Sequence, residues 1–416
     1  MQATAHTTSP PGAVTDPIRV MVVDDSVVIR GLVGRWIEEE KALAVVASHR
    51  NGRLAVDDIK RSDPDVVVLD IEMPDMDGLT ALPLMLKQKP GLAVIIASTL
   101  SRRNAEISLR ALSLGAADYV PKPEGNSGVT TSPEFRRELI EKVMSLGERA
   151  KRRGQRPMSA SLALQARTQN QMSAQSAANA PGQTAGQPAA PPPLRMRQSE
   201  PAAPALARSQ RGQFTLRAWS SSRPRALVIG SSTGGPQALN AFFGHVGSAI
   251  GHVPVLLTQH MPPTFTAILA EHLAKSSGRP AAEGQDGEVV RPGRIYVAPG
   301  GKHMTVAKAG TEAVIRLNDG PPVNFCKPAV DPMFKTAVEV YGGALLAVIL
   351  TGMGSDGAQG AAGIAQAGGN VIAQDEETSV VWGMPGAAAA TGMCADVLPL
   401  DEVGRKVSRI LMGGRP

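Results

Sequence analysis

The sequence of 416 residues predicts two α/β domains with mostly parallel sheets, joined by a linker. Short apolar runs alternate with helix-like segments in both parts of the chain, which is typical of βαβ units. The length exceeds that of one ordinary hydrophobic core, because domains average roughly 150 residues. Between the two parts the chain is rich in Ala, Pro and Gln. We therefore expect a disordered N-terminus at 1–17, a domain at 18–146, a flexible linker at 147–223 and a domain at 224–416.

The linker region also explains the basic composition of the chain. Residues 148–225 carry 13 Lys and Arg against 2 Asp and Glu, whereas the whole chain has a net charge of +6. Phe214 and Trp219 are the only aromatic residues in this region, so it has too little apolar surface to fold alone. Basic tethers can contact nucleic acid or anionic lipid, but a solvated run of charges is more common. The charge therefore gives no reason to expect a nucleic-acid partner.

Cysteine content and hydropathy favour a cytoplasmic protein. Cys326 and Cys394 are the only cysteines and lie in no metal-binding or CxxC spacing, as expected in a reducing compartment. The first 17 residues lack the apolar core of a signal peptide, and no run approaches the roughly 18 apolar residues that span a bilayer. We expect no direct insertion into a membrane.

Polar residues follow the apolar runs of the first domain, where each predicted strand ends. The predicted strands are IRVMVV, VVVLD, AVIIAS and ADYV. Their carboxyl ends carry, in chain order, Asp24 and Asp25, Asp70, Ser98 and Lys122. In an open parallel sheet these ends meet at one edge, which is where ligands bind. A single Asp in such a place is usually a helix cap or turn former, but polar residues at successive strand ends indicate a site.

The acidic residues at this edge predict phosphoryl chemistry. Three converging carboxylates need a cation, because they repel one another in a partly buried site. Oxygen ligands with open positions suit Mg²⁺, which retains waters and accepts a phosphoryl oxygen. Asp70 can then form an aspartyl phosphate, while the metal and Lys122 neutralise the transferring group. Ser98 would hydrogen-bond the product, and Thr99 is the alternative for this role.

The segments VVDDS, VLDIEMPDMDG, ASTL and YVPKP together resemble the receiver domain of two-component response regulators over about residues 18–146. The resemblance implies a (βα)5 flavodoxin-like fold, with Asp70 as the phosphoacceptor and a histidine kinase as the phosphodonor. It implies a cis Lys122–Pro123 bond. It also implies an Mg²⁺ site formed by Asp24, Asp25, Asp70 and the backbone carbonyl of Glu72.

The second domain begins with a strand, a glycine-rich turn and a helix, in the segments RALVIG, SSTGG and PQALNAFF. Ser232 lies between Gly230 and Gly234, the G-x-S-x-G spacing that presents a hydroxyl above a sheet. The helix N-terminus behind it favours an oxyanion. Nucleotide binding is a rival interpretation, but the turn lacks the GK[ST] of a P-loop and the G-x-G-x-x-G of a dinucleotide fold. A serine here can also be only a cap, and Ser231 is an alternative nucleophile.

A histidine and an aspartate are expected at the same edge of the second sheet. His260 ends the predicted strand VPVLLTQH, and Asp356 follows the strand and turn GALLAVILTGMGSDG. His260 would remove the Ser232 proton as general base, and Asp356 would orient the imidazole. Backbone N–H groups near Thr233 or Met353 would complete an oxyanion hole.

The base and the fold type each have an alternative. His303 follows the predicted strand RIYVAP and is the second candidate for the base. The chain order Ser, His, Asp differs from the Ser, Asp, His order of α/β-hydrolases, which argues against that fold. We expect a doubly wound, mostly parallel α/β sheet with a serine-hydrolase site.

The segments GSSTGG, TQHMPP, VAPGGKHM, LTGMGSDGA and VWGMPGAA resemble the catalytic domain of chemotaxis-specific protein-glutamate methylesterases over about residues 224–416. The preceding receiver fits that architecture, while Ser231 and Ser355 stand where relatives commonly carry Ala and Asn. Members of the family hydrolyse γ-methyl esters of glutamate on the cytoplasmic helices of chemoreceptors, releasing methanol, and many deamidate glutamines there. The resemblance thus implies a phosphorylation-activated hydrolase with no cofactor in its esterase site.

Two other classes of output domain can follow a receiver. A DNA-binding output is disfavoured, because no short basic helix-turn-helix follows Arg225. A response regulator with a non-catalytic receptor-binding domain is the remaining alternative. If the receiver packs over the Ser232 edge, it would block a receptor helix until phosphorylation of Asp70 weakens that packing.

Overall fold

The computed structural model describes residues 16–99, 101–123, 132–154 and 214–415. Most of the predicted disordered N-terminus, residues 1–15, and the middle of the predicted linker, residues 155–213, lie outside these ranges. The described residues up to Lys151 and from Phe214 onward form one compact unit. Within this unit, two α/β domains pack against each other.

The first domain is a five-stranded parallel sheet with helices on both faces. Its strand order is β2-β1-β3-β4-β5, so the carboxyl ends of β1 and β3 meet at the point where the winding direction changes. The expected (βα)5 flavodoxin-like fold is confirmed. In chain order the elements are β1 (Ile18–Val23), α1 (Val27–Glu38), β2 (Leu43–His49), α2 (Gly52–Ser62), β3 (Val66–Asp70), α3 (Gly78–Gln88), β4 (Ala93–Thr99), α4 (Arg102–Ser113), β5 (Asp118–Lys122) and α5 (Pro133–Gly154).

Local sequence explains where these elements begin and what they bury. Side chains of Ser26, Asn51, Asp77 and Ser101 accept backbone N–H groups and thereby cap helices α1 to α4. Helices α1 and α5 cover one face of the sheet, and helices α2 to α4 cover the other. Strand β3 is buried on both faces, which explains its continuous apolar sequence VVVL before Asp70.

The predicted linker at 147–223 is wrong at both ends. Helix α5 continues beyond residue 146 to Gly154. Residues 214–223 lie against the second domain, where the Trp219 indole N–H donates to Asp396 Oδ2 at 3.0 Å. The Trp219 ring also packs beside the Lys406 Nζ, at 4.7 Å. Composition alone does not predict these ends, because the surfaces that hold them come from distant parts of the sequence.

The second domain contains a seven-stranded parallel sheet with the order β14-β13-β12-β6-β7-β9-β8, and a separate antiparallel hairpin of β10 and β11. The winding direction changes between β6 and β12, as expected for a doubly wound sheet. In chain order the elements are β6 (Ala226–Ser231), α6 (Gly235–Val246), a 3₁₀ turn (Ala249–His252), β7 (Val255–Gln259), α7 (Phe265–Ser277), β8 (Ala281–Glu283), β9 (Ile295–Val297), β10 (His303–Ala309), β11 (Glu312–Asn318), α8 (Val330–Tyr341), β12 (Leu345–Ile349), α9 (Ala358–Gln366), β13 (Asn370–Gln374), α10 (Gly383–Ala390), β14 (Asp396–Leu398) and α11 (Leu400–Leu411).

The two domains share a buried apolar interface. The Tyr119 ring, on β5, stacks on Phe265 at the start of α7, with ring centroids 4.6 Å apart. The Gln237 side chain, on α6, donates from Nε2 to the Ala116 carbonyl at 2.8 Å. One hydrophobic cluster contains residues of both domains. The interface is therefore built from β5, α4, α6 and α7 rather than from surface ion pairs alone.

Two further expectations concern the backbone and the membrane. Among the described residues the cis peptide bond is Lys327–Pro328, so the expectation of a cis Lys122–Pro123 bond is wrong. Lys122 instead remains paired with Thr99 in the sheet. None of the helices in the described ranges has both the length and the apolar content needed to cross a bilayer.

Candidate active site and phosphoacceptor site

The carboxyl ends of β1 and β3 bring three aspartates together. Carboxylate oxygens of Asp24, Asp25 and Asp70 lie within 4.8 Å of one another. The Ser26 N–H donates to Asp24 Oδ1, and the Ile71 N–H donates to Asp70 Oδ1, both at 2.9 Å. Glu72, whose backbone carbonyl the receiver resemblance adds to the set, lies exposed in the loop after β3. Clustered carboxylates of this kind fit a hard cation such as Mg²⁺.

Lys122 joins this cluster from the end of β5. Its Nζ lies 2.6 Å from Asp24 Oδ2 and 2.8 Å from Asp70 Oδ1. Burial raises the pKa of Asp70 to about 6, and Asp24 adds to the rise although Lys122 opposes it. Burial by itself would lower the pKa of Lys122, but the Asp70 and Asp24 carboxylates raise it overall. The lysine therefore remains a cation beside Asp70, where a phosphoryl group would need positive charge.

The two candidates for hydrogen-bonding the phosphoryl group both bond to helix α4 in this structure. Ser98 is buried, and its Oγ lies 2.6 Å from Ser108 Oγ. Thr99 Oγ1 accepts from Asn104 Nδ2 at 2.6 Å. Either hydroxyl would have to exchange its partner on α4 to reach a group on Asp70. Such an exchange would link Asp70 to α4, which is part of the domain interface.

Ser232 lies in the turn between β6 and α6, and the residues around it leave little space. Its backbone N–H donates to the Thr351 carbonyl at 3.0 Å, which joins the turn to the end of β12. A Cβ on Gly352 would come within 2.8 Å of Ser232 Cβ. Gly234 has φ 74°, and a Cβ there would meet Val380 at 2.4 Å. These glycines let the turn place Ser232 at the sheet edge.

Ser231 and His303, the alternatives to the chosen nucleophile and base, are engaged elsewhere. Ser231 is fully buried, and its hydroxyl donates to Gln259 Oε1 at 2.7 Å. His303 is 2% exposed. Its Nδ1 accepts the Ala329 N–H at 3.2 Å, and its Nε2 lies 3.0 Å from the Pro321 carbonyl. Both ring nitrogens of His303 thus hold the loop before α8.

His260 and Asp356 form a buried pair at the same edge as Ser232. His260 Nε2 lies 2.7 Å from Asp356 Oδ2. The Asp356 carboxylate also accepts the N–H groups of Val330 at 2.6 Å and Asp331 at 3.1 Å, the first two residues of α8. A helix N-terminus stabilises a carboxylate through these free donors and its dipole. Asp356 is therefore held in one position and stays ionised.

The electrostatics of the pair favour an imidazolium. Burial by itself would lower the pKa of His260, but its hydrogen bonds to Asp356 and Cys326 raise that pKa to about 10. Burial by itself would raise the pKa of Asp356, but the hydrogen bond to His260 and the backbone donors lower it. In this arrangement the pair carries opposite charges near neutral pH.

Sequence reasoning missed residues of the segment before α8. Asn324 Nδ2 donates to Asp356 Oδ1 at 3.1 Å, and Cys326 lines the same cavity as His260. Asn324 and Phe325 have left-handed backbone conformations, with φ of 51° and 63°. No motif signals this segment, since it lies more than sixty residues from His260 along the chain.

The two residues proposed for the oxyanion hole, Thr233 and Met353, line the same cavity as Ser232 and His260. Thr233 is 3% exposed, and its buried Oγ1 has no hydrogen-bond partner among the described residues. Met353 follows Gly352 in the turn after β12, and its sulfur accepts from the Ser145 hydroxyl at 3.6 Å. Ser145 belongs to α5, so the first domain contacts the edge of this site.

The cavity in front of Ser232 and His260 lies between the two domains. Its volume is about 680 Å³. Its second wall is helix α5 of the first domain, whose lining residues include Glu134, Arg137, Glu138, Glu141, Ser145 and Glu148. Residues of both domains therefore line the cavity next to Ser232.

Known proteins resemble both domains. The sequence profile of the response regulator receiver domain matches residues 20–132, and that of CheB methylesterase matches residues 227–407. A protein-glutamate methylesterase/protein-glutamine glutaminase of Rhodopseudomonas palustris (strain BisB5) is 54% identical over 400 residues, which is 96% of each chain. One of Nitrobacter winogradskyi is 55% identical over 413 residues, covering 96% of this chain and 95% of the relative.

A solved structure resembles the second domain. The crystal structure of the Thermotoga maritima CheB methylesterase catalytic domain is 39% identical, covers 45% of this chain and 98% of that chain, and has a TM-score of 0.44. The relatives of near-full length share both domains in the same order along at least nine-tenths of the chain. The chain therefore belongs to the CheB family of protein-glutamate methylesterase/protein-glutamine glutaminase proteins.

Proposed function

We propose that this protein is a phosphorylation-activated hydrolase of chemoreceptors. It demethylates glutamate γ-methyl esters on their cytoplasmic helices, releasing methanol, and deamidates glutamines there, in the cytoplasm. The observation that carries the proposal is the His260–Asp356 pair in the same cavity as Ser232, at the sheet edge where the winding direction changes. Family membership adds the substrate class, since the relatives are named for glutamate esters and glutamine amides.

The proposed reaction is acyl transfer through an acyl-enzyme. The Ser232 hydroxyl attacks the side-chain carbonyl while His260 accepts its proton. His260 then returns the proton to the leaving methanol or ammonia, and water releases the glutamate in a second step. Asp356 orients the imidazole and stabilises its charged form, and backbone donors near Thr233 or Met353 receive the oxyanion. This chemistry requires neither a metal nor an organic cofactor in the esterase site.

We assign the regulation of the esterase activity to phosphorylation of Asp70 in the receiver domain. Receivers are phosphorylated by a kinase, here proposed to be a chemotaxis histidine kinase, in a reaction that depends on Mg²⁺. Asp24, Asp25, Asp70 and the Glu72 carbonyl would hold that ion, which neutralises charge on the transferring phosphoryl group. Lys122 would then share its positive charge with the phosphoryl group instead of with the two aspartates.

The domain interface offers a route from Asp70 to the esterase site. Strand β5 carries both Lys122, which contacts Asp70, and Tyr119, which stacks on Phe265 of the second domain. Hydroxyls of β4 bond to α4, and Arg102 of α4 pairs with Glu271 of α7 at 3.1 Å. Rearrangement at Asp70 would weaken these contacts. A shift from mostly closed to mostly open requires about 3 to 5 kcal/mol, which a phosphoryl group, its metal and a lysine can supply.

The test is methanol release from methylated receptor membranes, with and without acetyl phosphate and Mg²⁺. We expect stimulated release from the native chain and a loss of about 10⁴-fold or more in Ser232→Ala. Ser355→Ala is the matched control, because Ser355 is exposed and does not line the cavity. The Ser355→Ala variant should release methanol at the native rate.

The alternative is a non-catalytic output domain that only binds receptors. It predicts that Ser232→Ala keeps its effect on receptor signalling and that the native chain releases no methanol. The described residues give no support for a nucleic-acid partner, and most of the basic stretch lies outside them. If the native chain releases no methanol from any methylated receptor, the proposal of an enzyme fails and the binding module becomes the favoured function.

A further inference from the structure

Thr351 connects the turn that carries Ser232 to the turn that follows β12. It is 1% exposed and lies two residues beyond the end of β12. Its carbonyl accepts the Ser232 N–H at 3.0 Å, and its hydroxyl donates to the Thr233 carbonyl at 2.8 Å. Two consecutive residues of the candidate nucleophile turn are therefore bonded to the same buried threonine.

The end of β13 and the segment VWGMPGAA hold Thr351 from the other side. The Val381 N–H donates to the Thr351 hydroxyl at 2.9 Å, and the Val381 carbonyl accepts the Gly352 N–H at 3.0 Å. The Thr351 N–H donates to Oε1 of the fully buried Gln374 at 2.8 Å. The indole N–H of Trp382 donates to the Gln374 carbonyl at 3.1 Å. The N–H, carbonyl and hydroxyl of Thr351 thus all have partners, and these partners come from three segments.

Close packing of glycines leaves these segments little room to move independently. A Cβ on Gly352 would lie 2.4 Å from the Met384 sulfur, as well as 2.8 Å from Ser232 Cβ. A Cβ on Gly383 would lie 2.8 Å from the Gly352 carbonyl oxygen. The backbones therefore approach as closely as residues without side chains allow. In such packing, a shift of one segment moves its neighbours, because no free space absorbs it.

The bonds of Thr351 bear directly on the geometry of acyl transfer. The Ser232 N–H is used by its bond to the Thr351 carbonyl, so the oxyanion needs other donors. The donors proposed for it lie near Thr233 in one turn and near Met353 in the other. Their positions relative to the Ser232 hydroxyl depend on how the two turns meet. Such donors act because they are preorganised, and a misplacement of about 1 Å can lower a rate about 10²-fold.

We propose that Thr351 is a positioning residue for acyl transfer, whose hydroxyl sets the separation between the turn of Ser232 and the turn of Met353. Thr351 is not among the described residues that line the cavity, so it acts through the backbone of Thr233 and not on the substrate. The inference rests on the proposed function, because that function makes Ser232 the nucleophile. It assigns a part in catalysis to a hydroxyl outside the set of Ser232, His260 and Asp356.

The test measures kcat and KM for methanol release from methylated receptor membranes, with full-length protein activated by acetyl phosphate and Mg²⁺. Thr351→Ala removes the hydroxyl and should lower kcat about 10- to 100-fold, with KM near native because the cavity wall is unchanged. Thr351→Val should lower kcat further, because its methyl group would lie where the hydroxyl is now 2.8 Å from the Thr233 carbonyl, which is too close for carbon. Thr351→Ser keeps the hydroxyl and should have a kcat near native. If the valine variant folds poorly, the alanine variant, which adds no atoms, suffices for the test.

Thr336→Val is the matched control for the loss of a structural hydroxyl. The Thr336 hydroxyl accepts the Val306 N–H at 3.2 Å and donates to the Pro332 carbonyl at 3.0 Å, so it joins α8 to β10. Thr336 is not among the described residues that line the cavity. Its replacement should lower the midpoint of urea unfolding but leave kcat and KM native. The comparison separates a positioning role of Thr351 from a general loss of stability.

The outcomes distinguish this inference from the proposed function. A native chain that releases no methanol from receptors contradicts the proposed function, and the inference fails with it. If the native chain is active, a native kcat in Thr351→Ala overturns the positioning role alone. A rise in KM without a fall in kcat, or an equal fall in kcat in Thr351→Ser or in Thr336→Val, also overturns it. A fall in kcat confined to the variants without a hydroxyl at position 351 supports it.

Discussion

Asp356 shows how single residues set the chemistry of this site. Its carboxylate accepts from His260, from the N–H groups of Val330 and Asp331 at the start of α8, and from Asn324. These donors hold the carboxylate in one position and keep it ionised, so it stabilises a proton on His260. The same interaction that would stabilise the imidazolium during acyl transfer disfavours the neutral imidazole, which is the form proposed to accept the serine proton.

The pH dependence of catalysis follows from this pair. Because the pKa of His260 is raised to about 10, the neutral base is scarce near pH 7, and unphosphorylated native protein should release methanol faster as pH rises toward that value. Asp356→Asn removes the main cause of the rise, so its profile should level off at lower pH, with a kcat about 10⁴-fold below native. Rates measured from about pH 6 to pH 10 would check this. A native profile that is already flat above about pH 7 would contradict it.

The same raised pKa has a consequence for folding. The folded-state value lies above the ordinary value for histidine, so the pair contributes stability that is fully present below about pH 6.5. That contribution is lost as pH rises through about 10. At high pH, loss of the His260 proton therefore raises the fraction of neutral imidazole. The same loss removes the stability that the protonated pair contributes to the fold.

At the scale of secondary structure, the site depends on how β6 passes into α6. The turn needs glycine at 234, because φ is 74° and Val380 lies where a Cβ would be. Helix α6 then begins at Gly235, and Ser232 lies beside its N-terminus. In the same way, helix α8 begins at Val330 so that its free N–H groups meet Asp356. The first turns of α6 and α8 thus lie next to Ser232 and Asp356, respectively.

Two glycines of this region should respond in opposite ways to alanine. Gly234→Ala should lower the free energy of unfolding by about 1 to 3 kcal/mol, since it combines a positive φ with a steric overlap. Gly244→Ala, inside α6, should raise it by about 0.5 to 1 kcal/mol, because no atom lies within 4 Å of the new Cβ. Urea unfolding of the two variants beside native protein measures both changes. Equal effects would mean that the turn tolerates a side chain at 234.

At the scale of the whole molecule, the packing of two domains decides access to the site. The receiver is held by the Tyr119–Phe265 stack, by Gln237 and by helix α5 over the cavity. Asp70, the proposed phosphoacceptor, and the proposed esterase residues lie in different domains, at the carboxyl edges of two separate sheets. In the proposed mechanism, phosphorylation of Asp70 would act by changing the stability of this interface.

The hydrogen bond between Gln237 and the Ala116 carbonyl at the domain interface allows a quantitative test of this regulation. Gln237→Ala removes the hydrogen bond to the Ala116 carbonyl in the closed form, worth about 1 kcal/mol. Unphosphorylated protein should then release methanol about fivefold faster. Phosphorylated protein should be little changed, because its interface is already weakened. Gln366→Ala, an exposed residue at the end of α9, is the control and should behave as native in both states.

Much of the fold and of both sites was predictable because it is local in sequence. Asp24, Asp70 and Lys122 follow or end short apolar runs that form buried strands, and Ser232 lies in a strand, turn and helix with glycines at the required positions. Chain order and the rules of parallel sheets then bring strand ends to one edge. The roles of these residues stay predictions that the variants above test.

The sequence by itself determined the two sheets, the residues at their carboxyl edges and the family to which they point, since hydrophobic periodicity and turn chemistry are short-range properties. Only the tertiary structure decided which surfaces meet. Trp219 packs on the second domain, Asn324 donates to Asp356, and helix α5 contacts Phe325 and Met353. Each of these contacts joins segments far apart in the chain, and side-chain shape, burial and charge select such partners only after the sheets have formed.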